Sequence, residues 1–103
     1  MPAEDLMLDL LLVVSTDRAA ALLVPLAAAA RRRRTVLGCF FTNDGVKLLG
    51  DEEVRAAMEG AGAAIACEHS WGRYMGGARC PVELGSQTDH SALVARAARV
   101  VAI

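Results

Sequence analysis

The sequence predicts an α/β fold: a single three-layer α/β/α domain with a five-stranded parallel sheet, flavodoxin-like or Rossmann-like in type. Strand-like and helix-like segments alternate along the chain, which favours parallel strands joined by right-handed crossovers. The first strand-like segment is an almost unbroken run of Leu and Val, typical of a strand buried on both faces. The chain has 103 residues, of which 54% are hydrophobic. This is enough for one core, so we predict one domain over residues 1–103.

The first two strands and the first helix are predicted from the N-terminal part of the chain. Residues 6–14 form the Leu/Val run, and residues 35–42 form a second segment rich in strand-forming residues. Between them, residues 19–33 are mostly Ala and Leu and predict a helix, with N-cap candidates at residues 15–17. Pro25 lies inside this segment, and it predicts either a kink or a later start of the helix.

The central part of the chain predicts a turn, a short helix and a third strand. Residues 43–45 (Asn-Asp-Gly) form the turn, for which a β-hairpin is a local alternative. Residues 51–59 predict a helix capped by Asp51, and Gly60 and Gly62 end it. The apolar residues 63–67 predict the third strand.

The C-terminal part completes the alternation. Residues 69–75 predict a helical turn or short helix, which ends at a Gly-Gly pair, and residues 82–85 predict a weak fourth strand. A last helix is expected to be capped by Thr88 or Asp89 and to run to about residue 98. Residues 100–103 predict the closing strand.

Composition argues against several classes of protein. A net charge of −1 and an aromatic content of 4% argue against a nucleic-acid binder. The longest uncharged run, residues 19–30, contains Pro25 and is too short to span a membrane. The N-terminal residues 1–5 are acidic and lack the basic start of a secretory signal. The three cysteines are an odd number, so they cannot all pair in disulfides within the chain. We therefore expect a cytoplasmic protein with reduced thiols.

No nucleotide cofactor is predicted. The segment from Gly60 to Gly62 begins like a dinucleotide-binding motif, but it lacks the third glycine and precedes a strand. The sequence also has no Gly-Lys-Ser/Thr phosphate-binding loop. Candidate functional residues are expected just after the strands instead, because ligands of open α/β sheets bind at the carboxyl ends of the strands.

Cys67 is the leading candidate for a catalytic residue, since it ends the third strand where a helix can begin. A thiol at a helix N-terminus has a lowered pKa, although the adjacent Glu68 opposes this effect. His69 is the candidate for orienting the thiol or moving a proton, and Cys80 is a second candidate thiol in a loop. The alternative is that neither thiol is catalytic: Cys67 is then a small apolar strand residue, and Cys80 is an ordinary loop residue.

Other residues expected at this edge are candidate pocket residues: Asp44, Gly45, Trp71 and His90. Trp71 is either a pocket lid or a subunit contact, and His90 lies in the first turn of the last helix. Cys39 lies inside the second strand and is predicted to be a core residue. A metal site made by Cys67, His69, Cys80 and His90 is a weaker alternative, because the paired cysteines of usual zinc sites are missing.

The chain resembles the DsrE/DsrF/TusD family of sulfur-relay proteins over nearly its whole length. The similarity rests on residues 40–46 (Phe-Phe-Thr-Asn-Asp-Gly-Val) and on the cysteine that ends residues 65–67 (Ile-Ala-Cys). This resemblance implies a five-stranded parallel sheet, a trimer or hexamer, and a persulfide carried on Cys67 between sulfur donor and acceptor proteins. Other members of the family lack the cysteine and serve as structural subunits, so a non-catalytic assembly or regulatory subunit is the alternative.

Overall fold

Five strands and four α-helices alternate along residues 7–103, the part of the chain that the computed structural model describes. In chain order they are β1 (Leu10–Val14), α1 (Ala20–Arg32), β2 (Leu37–Phe41), α2 (Glu52–Met58), β3 (Ala63–Cys67), α3 (Glu68–Met75), β4 (Glu83–Gly85), α4 (Gln87–Arg96) and β5 (Val100–Ala102). A 3-10 helix (Asn43–Gly50) stands between β2 and α2. The predicted first strand began at Leu6, which lies outside the described residues, as does the acidic N-terminal segment.

All five strands are parallel and form one sheet in the order β4-β3-β2-β1-β5. The chain moves stepwise from β1 to β4 and then returns to the far side of β1. With right-handed crossovers, this order puts α1, α2 and α3 on one face of the sheet and α4 on the other. The predicted three-layer α/β fold with a five-stranded parallel sheet is therefore confirmed.

The face covered by α1, the 3-10 helix, α2 and α3, called the main face, holds most of the core. Alternate strand residues point into it, as the two-residue period of a strand requires. These strand residues include Leu12, Val14, Cys39, Phe41 and Ala66. The helices bury Leu23, Val46, Val54 and Trp71 against them.

The opposite face, called the α4 face, carries the other half of the same strands. Its buried cluster consists of Leu8, Leu11, Phe40, Ile65, Cys67 and Leu93. Leu93 is the single buried residue of α4. One helix thus covers this side of the sheet with little buried area of its own.

The predicted N-cap residues of α1 and α4 are wrong. The helix α1 begins after Ala19, which is its N-cap residue and gives no side-chain cap. A turn at residues 17–19 separates the predicted N-cap candidates, residues 15–17, from the first N–H groups of the helix. The helix α4 is capped by Ser86, whose hydroxyl accepts the N–H of Thr88. The carboxylate of Asp89 accepts the N–H of Ser86 at 2.7 Å, so Asp89 completes a capping box from inside the helix.

Pro25 and the Asn-Asp-Gly turn also behave differently from the prediction. The helix α1 starts five residues before Pro25 and continues through it, so a start at Pro25 is wrong. Pro25 is exposed, and Ala21, whose carbonyl loses a partner to the proline, is exposed as well and open to water. The hairpin alternative is wrong too, because the chain enters the 3-10 helix and every strand pairing is parallel.

In the described part of the chain, no helix has both the length and the apolar character needed to cross a membrane.

Candidate functional site

Cys67 is the last residue of β3 and the N-cap residue of α3. Its backbone is extended (φ −60°, ψ 119°), and the helix begins at the next residue. The alternation of β3 turns Ala64 and Ala66 toward the main face and Ile65 and Cys67 toward the α4 face. The sulfur therefore lies at the carboxyl end of the sheet, beside the first turns of both α3 and α4, as the sequence predicted for the strand end.

The surroundings of the thiol favour the thiolate. Burial raises the pKa of Cys67, but hydrogen-bonding groups oppose burial: the N–H and hydroxyl of Ser70, the N–H of His69 and the amide of Gln87. Together they bring the pKa of Cys67 below its ordinary value of 9.0. The first turn of a helix supplies N–H groups with no partner within the helix, which is the physical reason for this direction.

Ser70 connects the thiol to the 3-10 helix that follows β2. Its side chain is buried, and its hydroxyl oxygen accepts the N–H of Asn43 at 2.9 Å, at the start of the 3-10 helix. Ser70 is not among the site residues predicted from the sequence. Its position three residues after a strand-end cysteine was the available signal, because the third residue of a helix is the one whose N–H faces the N-cap side chain.

Gln87 and His90 approach the sulfur from α4. The Nε2 atom of Gln87 lies 3.8 Å from the Sγ atom of Cys67, and its Oε1 atom lies 3.2 Å from the Nδ1 atom of His90. The ring of His90 stacks on Phe40, with centroids 4.6 Å apart and planes 12° apart. Gln87, also missed in the sequence, thus links His90 to the thiol.

The side chains of Glu68 and His69 are exposed at the first turn of α3. His69 acts on the thiol through its backbone N–H. His90, predicted as a pocket residue and as a ligand in the weaker metal alternative, is the histidine whose side chain is linked to the thiol, through Gln87.

Asp44 and Gly45 lie on the 3-10 helix, next to the carboxyl ends of β1 and β2. A hydrogen bond with Asp44 raises the pKa of the Tyr74 hydroxyl. Gly45 is buried, and a Cβ atom there would lie 2.6 Å from the carbonyl carbon of Val14. Both residues are joined to the Cys67 site indirectly, through the hydrogen bond between Asn43 and Ser70.

Trp71 and Cys80 belong to the other side of the sheet. Trp71 is buried in the core of the main face, and its indole N–H donates to the carbonyl of Ala78 at 2.7 Å. Cys80 packs against the same core, whereas Cys67 belongs to the cluster of the α4 face. Burial raises the pKa of Cys80, and the N–H of Val82 only partly offsets this. The residues expected to share one edge are thus divided between two faces.

Cys39 and the predicted alternative of a metal site remain to be placed in the structure. Cys39 is fully buried, as predicted, and burial raises its pKa to about 12. Within residues 7–103, no three His, Cys, Asp or Glu side chains come together in a way that could hold a metal ion. The three cysteines are free thiols.

We predict that Ser70→Ala raises the pKa of Cys67, because it removes the hydroxyl that stabilises the thiolate. The alkylation rate of Cys67 by iodoacetamide at pH 7 should fall by about threefold to tenfold, because a smaller fraction of the thiol is then ionised. The pH-rate profile, read by mass mapping of the Cys67 peptide, gives the midpoint directly. Ser91→Ala, an exposed serine on α4, is the control. An unchanged midpoint in Ser70→Ala would show that the hydroxyl does not act on the thiol.

No family model matches the sequence, and no curated protein or solved structure matches the chain. The Cys67 site is therefore the feature from which a function can be inferred. It brings together a nucleophilic sulfur, hydrogen-bond donors and a nearby imidazole, but no group of side chains suited to a metal in the described part of the chain.

Proposed function

We propose that this protein carries sulfane sulfur as a persulfide on Cys67, taking it from a donor protein and passing it to an acceptor protein. The observation that supports this most directly is the set of hydrogen-bonding groups from Ser70, His69 and Gln87 around a single thiol at a helix N-terminus. A lowered thiol pKa increases the fraction of nucleophilic thiolate near neutral pH, and the thiolate is the reactive form in exchange at sulfur.

The loading step needs no outside oxidant or reductant. The Cys67 thiolate attacks the outer sulfur of a donor persulfide, R–S–SH. A new S–S bond forms on Cys67 as the S–S bond of the donor breaks, and the donor leaves as the thiolate R–S⁻. Cys67 then holds –S–SH, and an acceptor thiolate that attacks its outer sulfur returns Cys67 to the thiolate.

The same hydrogen-bonding groups stabilise the thiolate with which the cycle begins and ends. The N–H groups at the start of α3 stabilise negative charge on Cys67 before loading and after delivery. The side chain of Gln87 contacts the sulfur on one side and His90 on the other. From these contacts we infer positioning roles for Ser70 and Gln87. His90 is the imidazole available to exchange a proton near the site.

Access to the sulfur depends on α4. Cys67 is 6% exposed, so a donor protein reaches it only after part of its cover moves. Gln87, in the first turn of α4, is the exposed side chain next to the sulfur. Because α4 buries only Leu93, displacement of this helix costs less buried apolar area than displacement of α1.

The resemblance to the DsrE/DsrF/TusD family agrees with this role and extends it. It adds donor and acceptor proteins as partners and a homotrimer or hexamer as the assembly. The cytoplasm is the compartment of the proposal on other grounds, since the odd number of cysteines favours reduced thiols. Sulfurtransferase turnover is part of the same proposal, since one round of loading and delivery restores the Cys67 thiolate.

The test is intact-mass measurement after exposure to polysulfide. Wild-type protein should gain about 32 Da per sulfur, and a reductant should remove the adduct because exchange at the S–S bond is reversible. Cys67→Ser should lose the adduct, whereas the matched variant Cys80→Ser should keep it. An adduct that persists in Cys67→Ser and disappears in Cys80→Ser would assign the chemistry to the wrong thiol and overturn the proposal.

An assembly role is the second candidate, and the surface of α1 favours it. Leu22 is 57% exposed and Leu26 is 37% exposed, one helical turn apart, in a segment with no charged residue from Ala19 to Ala30. Contiguous apolar surface of this kind commonly marks a protein contact.

We expect Leu22→Lys to lower the molar mass of the protein measured by light scattering after size-exclusion chromatography, at unchanged helix content. Val94→Lys is the matched control, since Val94 is 40% exposed on α4 and lies outside α1. A monomeric wild-type protein, or a mass unchanged by Leu22→Lys, would remove the assembly role of the α1 surface and leave the sulfur-carrier proposal untouched.

A further inference from the structure

A cavity of about 500 Å³ lies on the main face, between the end of the 3-10 helix, α2, α3 and the loop before β4. Its walls include Leu49, Trp71 and Met75, together with Cys80 and two arginines, Arg55 and Arg79. The sheet separates it from Cys67, which faces α4. The cavity is therefore independent of the proposed persulfide site, and its volume is in the range of small-molecule binding sites.

The floor of the cavity is apolar. Leu49 and Trp71 are buried, and Met75 packs against the same core. The indole N–H of Trp71 is already engaged by the carbonyl of Ala78. Trp71 therefore offers the cavity its aromatic carbon surface, which binds an apolar or aromatic group without leaving a polar atom unsatisfied.

The charge around the cavity has one sign. Arg55 and Arg79 line it, and no Asp or Glu does. One nitrogen of Arg55 donates to the carbonyl of Leu49 at 3.0 Å, which holds the guanidinium at the rim and leaves most of its five donors for another acceptor. Cys80 adds no opposing charge near neutral pH, because burial raises the pKa of its thiol.

We propose that this cavity binds a small apolar molecule that carries one carboxylate, with the apolar body on Leu49, Trp71 and Met75 and the carboxylate at Arg55 and Arg79. Guanidinium groups match carboxylates in geometry as well as in charge. A neutral apolar ligand would leave the two cations without a counter-charge. A polar anion would leave the apolar floor in contact with water.

Cys80 lines the cavity and serves as a built-in reporter of its occupancy. The experiment uses Cys67→Ser protein at pH 8, so that the Cys67 thiol cannot react, and measures iodoacetamide alkylation of Cys80 by peptide mass. The probes are 1-naphthoate and 1-naphthalenemethanol, which share an apolar body and differ in charge. We expect 1-naphthoate to slow alkylation saturably and to do so at concentrations about threefold to tenfold lower than the alcohol. This modest preference is the one expected for ion pairs with two exposed arginines.

A substitution isolates the contribution of the arginine at the loop. Arg79→Gln should reduce the advantage of the carboxylate over the alcohol, and Arg73→Gln, an exposed arginine on α3 that does not line the cavity, should leave it unchanged. The proposal would be overturned if the two probes protected Cys80 equally. It would also be overturned if 1-naphthoate gave no protection at about 1 mM, a concentration that detects even weak binding. Neither result bears on persulfide loading at Cys67.

Discussion

Replacing Gly45 by alanine is expected to lower the free energy of unfolding by about 3 kcal/mol, the upper part of the usual range for overpacking a core. The new Cβ atom would overlap the carbonyl oxygen of Val14 and lie 2.6 Å from its carbonyl carbon. These are backbone atoms of β1, and the same oxygen accepts the N–H of Thr42 at 2.9 Å. The clash can be relieved only by moving the 3-10 helix away from β1.

Gly50 provides the matched control, because it belongs to the same 3-10 helix and a Cβ atom there would have no neighbour within 4 Å. Gly50→Ala should change the free energy of unfolding by no more than about 0.5 kcal/mol, as for other exposed substitutions. Urea unfolding followed by circular dichroism measures both variants. Equal stability of the two variants would contradict the close approach of Gly45 to β1.

Cys39 is expected to make the protein lose stability at alkaline pH. Burial raises the pKa of this thiol from 9.0 to about 12, so the folded state holds its proton more tightly than the unfolded state does. The resulting stability is fully present below pH 9 and is lost as the pH rises toward 12. Between these values, the loss attributable to Cys39 is about 1.4 kcal/mol per pH unit.

Cys39→Ala removes the titrating group and leaves a small cavity. The variant should be less stable than wild type at pH 8, by about 1 kcal/mol for the lost packing, but its stability should fall less steeply above pH 9. Urea unfolding at pH 8, 10 and 11 gives the two slopes, and taking their difference removes the contribution of the other titrating groups. Parallel curves for the two proteins would rule out Cys39 as the source of the alkaline loss.

The sheet was predictable because its strands are short, apolar and separated by helix-forming segments. The limits of β3 and the capping of α2 by Asp51 agree with the prediction, and each depends on residues next to one another in sequence. The starts of α1 and α4 were less predictable. Several neighbouring residues could cap either helix, and the path of the incoming chain decides which residue occupies the N-cap position.

The candidate site was predicted in part for the same reason. A cysteine at a strand end before a helix is a local feature, so the position of Cys67 followed from the sequence. The contact of Gln87 with Cys67 spans 20 residues and the bond from Asn43 to Ser70 spans 27 residues. Such contacts depend on the packing of α3 and α4 against the sheet, which no local pattern encodes.

The sequence by itself determined the class of fold, the parallel sheet and the strand-end position of the Cys67 thiol, because these follow from local apolar periodicity and from where each segment ends. Only the tertiary structure decided which residues share a site with that thiol. Successive side chains of a strand point to opposite faces, and the crossovers set which helix covers each face. Cys67 therefore meets Gln87, and through it His90, on the α4 face. Trp71 and Cys80 lie with the core and the cavity of the main face.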